Sequence, residues 1–238
     1  MRFSTLSLLA LPLLAAAQET PLEQAKAQAQ YWFDKISSYI PNPNKQAPQE
    51  AFTATVGEPK INVLTLDDWE QTIRGSVKAE STQPEQWWVL ATGGNKTCYG
   101  MCAGVEAAFN ESAALFTADP TAPHLALLNC DNQPVLCNSW GAGPPHMWIL
   151  EVSTPPAPVD IRLVSLNTTT TTVRTFTDLH TTQSWKEKPL YEGYFHPFDG
   201  PIAQFGLAVP LGYVLWALAV VPSWMFMIGI SFLSRTFM

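Results

Sequence analysis

Between residues 60 and 166 the chain alternates short apolar runs with amphipathic stretches, and the spacing of those runs predicts the elements. Residues 60–66 (KINVLTL) alternate apolar and polar positions and are rich in β-branched side chains, which predicts a strand. A helix start follows, with Thr65 or Asp67 as cap and Asp68 and Glu70 as acids for the first turn. Residues 87–91 (WWVLA) read as a buried strand running into a Gly-rich turn. Residues 103–116 (AGVEAAFNESAALF) put Val105, Ala108, Phe109, Ala113 and Phe116 on one side, the pattern of a helix with a single buried face. Residues 124–129 (HLALLN) and 146–152 (HMWILEV) are further strands, separated by the 130–137 loop and the 139–145 loop (SWGAGPP). Residues 159–166 (VDIRLVSL) alternate and pair with the preceding strand, and a Thr-rich turn leads to a last short helix near 177–185. Early strands that run parallel, followed by an antiparallel pair, make an α/β mixed sheet flanked by helices.

The two ends are patterned differently. Arg2, the apolar run 6–14 and Ala15-Ala16-Ala17 form a secretory signal over residues 1–17, with too few apolar residues to span a bilayer. In residues 18–58, Leu22, Ala25, Ala29, Trp32, Phe33, Ile36 and Ile40 recur at helical spacing, and a Pro-rich linker follows. Residues 205–233 carry no charge and are long enough for one transmembrane helix, kinked at Pro210 and Pro222. Asp199-Gly200-Pro201 is a poor match to a lipid-anchor attachment site. Residues 187–204 are then a juxtamembrane segment and 234–238 a cytosolic tail carrying Arg235, in a single-pass type I arrangement.

Composition narrows the partners. The net charge of −7 without a basic cluster speaks against nucleic acid. Asn95, Asn110 and Asn167 each begin an N-glycosylation tripeptide behind the signal, in a compartment that permits disulfides. His180 and His196 read as ordinary surface residues. Chemistry centres on Cys98-Tyr99-Gly100-Met101-Cys102, which a strand and turn deliver to the start of a helix. A thiolate there meets unpaired N–H groups and the positive end of the helix dipole, which lowers its pKa.

Strand, turn, cysteine pair and helix, in that order, resemble a thioredoxin-fold domain of the protein disulfide isomerase family, over residues 59–186. NVLTLDDWEQTI, the strand before the cysteines, LLNCDNQPVLCNSWGAGPP and Pro145 carry the resemblance. It implies that Pro145 is the cis-proline facing the cysteines, that Cys98 attacks and that Cys102 resolves. Several departures stand out. The spacing is C-x-x-x-C, Thr97 replaces a family Trp, the strand lacks the family's buried acid, and Pro144 has no N–H to offer a substrate strand.

Cys98 and Cys102 are open to three readings: a reversible redox pair, a permanent disulfide, or a soft-metal site with His124 or His146 of the kind in copper-carrying assembly proteins. The first two weigh more, and no cofactor or metal is otherwise expected. Of the three pairings that four cysteines allow, Cys98–Cys102 and Cys130–Cys137 are expected, the second being structural. The resemblance implies an endoplasmic reticulum membrane protein with a lumenal domain that handles thiols and disulfides of secretory-pathway clients with weak turnover. The alternative is a non-catalytic adaptor subunit of a translocation or glycosylation complex in that membrane.

Overall fold

Two neighbouring tryptophans, Trp87 and Trp88, open the central strand and point to opposite sides of the sheet, dividing the core into two layers. The computed structural model describes residues 61–77 and 83–237, all within one unit, Pro43–Met238. The expected signal peptide, N-terminal helix and Pro-rich linker lie outside the described residues. Strands β1 (Ile61–Val63), β2 (Glu85–Thr92), β3 (His124–Asn129), β4 (His146–Val152) and β5 (Asp160–Ser165) form a sheet of order β1-β3-β2-β4-β5. β3 runs parallel to β1 and β2, and β4 runs antiparallel to β2 and β5. The mixed sheet expected from the pattern is therefore present.

Trp87, Val89 and Ala91 pack beneath helices α1 (Trp69–Arg74) and α3 (Pro134–Trp140), with Ile73, Leu136, Trp140 and Trp148. Trp88 and Leu90 pack beneath α2 (Ala103–Phe116) and α4 (Val173–Thr182), with Val105, Phe109, Phe116 and Phe176. A 3-10 turn, Ser184–Glu187, closes the second layer with Trp185. α2 has the limits the sequence predicts. α3 replaces an expected loop: Pro134 occupies its first turn, where a missing N–H costs nothing, and Gly141 ends it in the left-handed region at φ 64°.

The segment after α4, the expected juxtamembrane stretch, packs on the domain. Tyr191 N–H donates to Ile161 O at 2.8 Å, and Leu190 bridges Arg162 on the free edge of β5. Phe195 packs its ring where a Cβ on Gly141 would stand. His196, expected at the surface, is buried: its Nε2–H donates to Val159 O at 3.1 Å, and its Nδ1 accepts the Asp199 amide at 2.9 Å. Burial lowers its pKa, against the opposing pull of Asp199, so the imidazole stays neutral in this network. His180 is half-buried and pairs with Asp119 at 3.1 Å.

The C-terminal apolar run is not one helix. After the short α5 (Pro201–Gln204) come α6 (Ala208–Val220) and α7 (Ser223–Phe237). Among the described residues no single helix is long and apolar enough to cross a membrane. Ala208–Val220 and Ser223–Phe232 qualify only as a pair, by length and composition, and are bent by 98°. The break falls at Val221-Pro222, where the proline forces its neighbour out of the helical region; Val221 has ψ 122°. α6 packs on α3, with Gly212 buried at the contact and Asn138 Nδ2 donating to Gly212 O at 3.5 Å.

Candidate functional site

The cysteines, Pro145 and the second disulfide meet at one end of the sheet. Ala91 pairs with His146 and Thr92 with Asn129, so the C-terminal ends of β2 and β3 lie beside the start of β4. The cysteine loop leaves β2 there, the Cys130 loop leaves β3, and the cis Pro144–Pro145 bond precedes β4. The three elements come from separate parts of the chain, and the sheet register alone brings them together.

Cys98 and Cys102 are joined in a disulfide with Cα atoms 5.8 Å apart, and Cys130 and Cys137 in another at 5.5 Å. Both local pairings are as expected. The first pair departs from the sequence reading in one respect: Cys98 is not on the helix. Cys102 is the N-cap of α2, while Tyr99 and Gly100 turn through the left-handed region at φ 54° and 73°. The extra residue is thus absorbed in a tight turn ahead of the helix. Cys98 and Cys102 are 4% and 0% exposed, whereas Tyr99 stands out at 81%. The helix's unpaired N–H groups lie next to Cys102, where they favour a thiolate.

Asp131 holds the cysteine loop from across the sheet end. Its Oδ1 accepts the Thr97 hydroxyl at 2.6 Å and the Thr97 amide at 3.0 Å, and its Oδ2 accepts the Lys96 amide at 3.2 Å. Gly93 and Gly94 let it approach, since a Cβ on Gly94 would meet Asp131 Oδ2 at 2.7 Å. Thr97 is therefore a double donor to this clamp. Burial of the carboxyl acts upward on its pKa, and the hydrogen bonds from Thr97, Lys96 and Gly94 outweigh it, so Asp131 titrates below the usual carboxylate range.

A carboxylate with a lowered folded pKa stabilises at pH above its unfolded value, about 3.9, and that contribution is lost as pH falls through the folded value. Reduction of Cys98–Cys102 by a phosphine that works in acid is expected to accelerate below about pH 4. Asp131→Asn is expected to accelerate it about fivefold at pH 7, matching about 1 kcal/mol of lost hydrogen bonding, and to flatten the acid limb. An unchanged rate in the variant would mean the clamp does not guard the disulfide.

Glu106, like Asp131, escaped the sequence reading. β2 has no acid within Trp87–Ala91, but its last residue, Thr92, is buried and donates from Oγ1 to Glu106 Oε2 at 3.3 Å. Glu106 lies one helical turn beyond Cys102 on α2, and its amide donates to Cys102 O at 3.0 Å. Its i+4 spacing from Cys102 was the available signal. It brings a carboxylate from the helix, one turn beyond the second cysteine, onto the end of β2.

The other expected residues are dispersed. Asn95, Asn110 and Asn167 are exposed on the cysteine loop, on α2 and after β5, and Asn167 Oδ1 accepts the amide of Thr169 at 2.9 Å. His124 stacks on Trp87 and pairs with Glu85 at the far end of β2, away from the cysteines, so it does not belong to a metal site with them. Among the described residues no group of three or more His, Cys, Asp or Glu side chains is placed to hold a metal ion.

With this geometry in place, comparison with known proteins bears on the fold. Residues 47–218 match a family model described as "tRNA hydrolases-like, Thioredoxin-like domain". No curated protein matches the chain. Among solved structures, the J-Trx1 fragment of ERdj5 is similar at 14% identity and a TM-score of 0.36, over 53% of this chain and 50% of that one. Human ERp44 in its zinc-bound form is similar at 10% identity and a TM-score of 0.37, over 52% of this chain and 30% of that one. The chain thus spans half or less of the length of either structure.

Proposed function

This chain belongs to the family described as "tRNA hydrolases-like, Thioredoxin-like domain", and from that premise we propose that it exchanges thiols and disulfides with proteins entering the secretory pathway. The same reading sets it at the endoplasmic reticulum membrane, domain in the lumen, held by its apolar C-terminal helices. The observation that carries the chemistry is the Cys98–Cys102 disulfide at the end of β2, at the same sheet end as the cis Pro144–Pro145 bond and with Glu106 one turn beyond Cys102. The RNA half of the family's description gains no support from a net charge of −7.

In one turnover a client thiolate attacks Cys98 Sγ. The Cys98–Cys102 bond breaks, and Cys102 leaves as a thiolate beside the N–H groups of α2. A second client thiolate attacks the client sulfur of the mixed disulfide and releases Cys98. The client loses two electrons, the protein's disulfide becomes a dithiol, and a second disulfide compound takes those electrons and re-oxidises Cys98 and Cys102 by the same exchange. Turnover is slow for two reasons. The left-handed turn at Tyr99-Gly100 separates the cysteines by one more residue, and Pro144 has no N–H with which to hold an extended client.

Trapping tests the reading. With the exchange run in reverse, the Cys98 thiolate attacks a client disulfide, one client thiolate leaves, and Cys102 resolves the mixed disulfide by re-forming Cys98–Cys102. Cys102→Ser is therefore expected to accumulate mixed disulfides between Cys98 and disulfide-bearing clients, and Cys98→Ser to accumulate none. Wild-type protein should refold a reduced test substrate at least about tenfold more slowly than a C-x-x-C relative, a difference of about 1.4 kcal/mol in barrier. Deletion of Tyr99 should recover part of the rate. Failure of Cys102→Ser to trap any client would sink the exchange reading. The near-complete burial of both cysteines favours a second reading, an adaptor in a membrane complex whose disulfide is fixed. Stoichiometric partners recovered in mild detergent, with Cys98 inert to alkylation after mild reduction, would select it.

A further inference from the structure

α6 and α7 are both apolar, yet they are treated differently by the fold. α6 is a helix of the domain. Gly212 sits so close to α3 that a Cβ would lie 2.5 Å from Val135 O and 3.3 Å from Ser139 Cβ, and the residues matched by the family model end inside α6, at 218. α7 lies beyond that match. Trp224, Met225, Phe226, Met227, Ile228 and Ile230 are between 43% and 68% exposed, and they point to all sides of the helix. A helix that is apolar all round belongs in an apolar medium rather than along one seam of a partner.

Length decides how far it goes. α6 packs on α3 while Val214, Leu218 and Val220 stay exposed, and a bend of 98° separates the two helices, so the straight apolar run open to lipid is that of α7, closed by Arg235. At 1.5 Å per residue the run from Ser223 to Arg235 reaches about 20 Å, short of a hydrocarbon core of about 30 Å. Arg235, the first charge after the run, stands in the last turn of α7 and needs headgroups or water.

We propose, on the reading that this chain is membrane-anchored, that α7 alone enters the bilayer and does not cross it: it lodges in the leaflet facing the domain, and Arg235 and the C-terminus stay on the domain's side. The lipid it fits is zwitterionic. α7 carries one positive charge on a chain of net charge −7, so apolar area holds it and anionic headgroups add little. The domain is then seated on the membrane by α6, with no length of free chain between them.

The full chain, carrying a glycosylation tripeptide on a long Gly/Ser spacer after Met238, tests this in microsomes. The expected result is retention after carbonate extraction together with one further glycan on the added site. Carbonate retention without the extra glycan, while the chain's own tripeptides are modified, would show that the pair crosses; this proposal would fall and the anchorage would stand. Release by carbonate would overturn the anchorage and the proposal together. As a second readout, flotation of the purified chain on phosphatidylcholine vesicles should change less than twofold when phosphatidylserine is added. A several-fold rise with phosphatidylserine, or a dimer in place of flotation that Met227→Glu abolishes, would overturn it.

Discussion

Trp148→Ala is expected to cost about 3–5 kcal/mol, the range for emptying a large aromatic site in a close-packed core. The indole is almost wholly buried on β4, between Trp140 of α3 at 5.5 Å and Tyr191 at 5.3 Å. Its loss therefore loosens the sheet, the helix that carries Cys137 and the segment after α4 at once. For a domain of this size the midpoint of thermal unfolding should fall by roughly 10 °C. Trp148→Phe is the informative control. The indole N–H has no hydrogen-bond partner among the described residues, so removing it leaves no new unpaired group. A small change for Phe with a large one for Ala assigns the effect to packing. A small change for both would show that the neighbouring rings collapse into the space.

Replacing Cys130 and Cys137 together by Ala is expected to destabilise by about 2–3 kcal/mol, from the entropy of the loop that the bond closes. The midpoint should fall by roughly 5–10 °C. The effect should also reach Cys98–Cys102. Asp131 follows Cys130 directly, and its carboxylate holds Lys96 and Thr97. Phosphine reduction of Cys98–Cys102 should thus be faster in the double variant than in wild type at a temperature where both are folded. Equal reduction rates beside a lowered midpoint would show that the second disulfide stabilises the domain without bracing the first. Peptide mapping that links Cys130 to Cys98 would exclude the local pairing altogether.

The fold was legible where one face of an element is buried. Trp87–Ala91 reads as a strand because both of its faces lie against helices, and Ala103–Phe116 as a helix because Val105, Phe109 and Phe116 share a side. α3 was not legible by periodicity, since PVLCNSW is short and carries Cys, Asn and Ser that favour turns. Its signals were terminal ones, Pro134 at the start and Gly141 after the end. The cysteine pair was legible as a pair but not in its geometry, because a left-handed Tyr99 cannot be read from a propensity. Asp131 and Glu106 were missed for one reason: their partners lie 34 residues away on another strand's loop and 14 residues back on β2. The uncharged C-terminal run was read as a single span because Pro210 and Pro222 are tolerated in lipid. Gly212 was the sign of a close contact with protein, and only the α3 surface shows what it touches.

The clasp around Val159 has a mechanical meaning. His196 and Asp199 hold the carbonyl and the amide of that one residue, at 3.1 and 2.8 Å, just ahead of the outer strand β5. Tension applied through the C-terminal helices meets these two hydrogen bonds before it reaches the backbone bridge between Leu190 and Arg162. The cysteine loop lies farther in, beyond β5 and β4, at the end of β2. Once α6 has left α3, the clasp therefore works as a fuse: it yields next under load, and the central strand that carries Cys98 feels the pull only after the strap has opened.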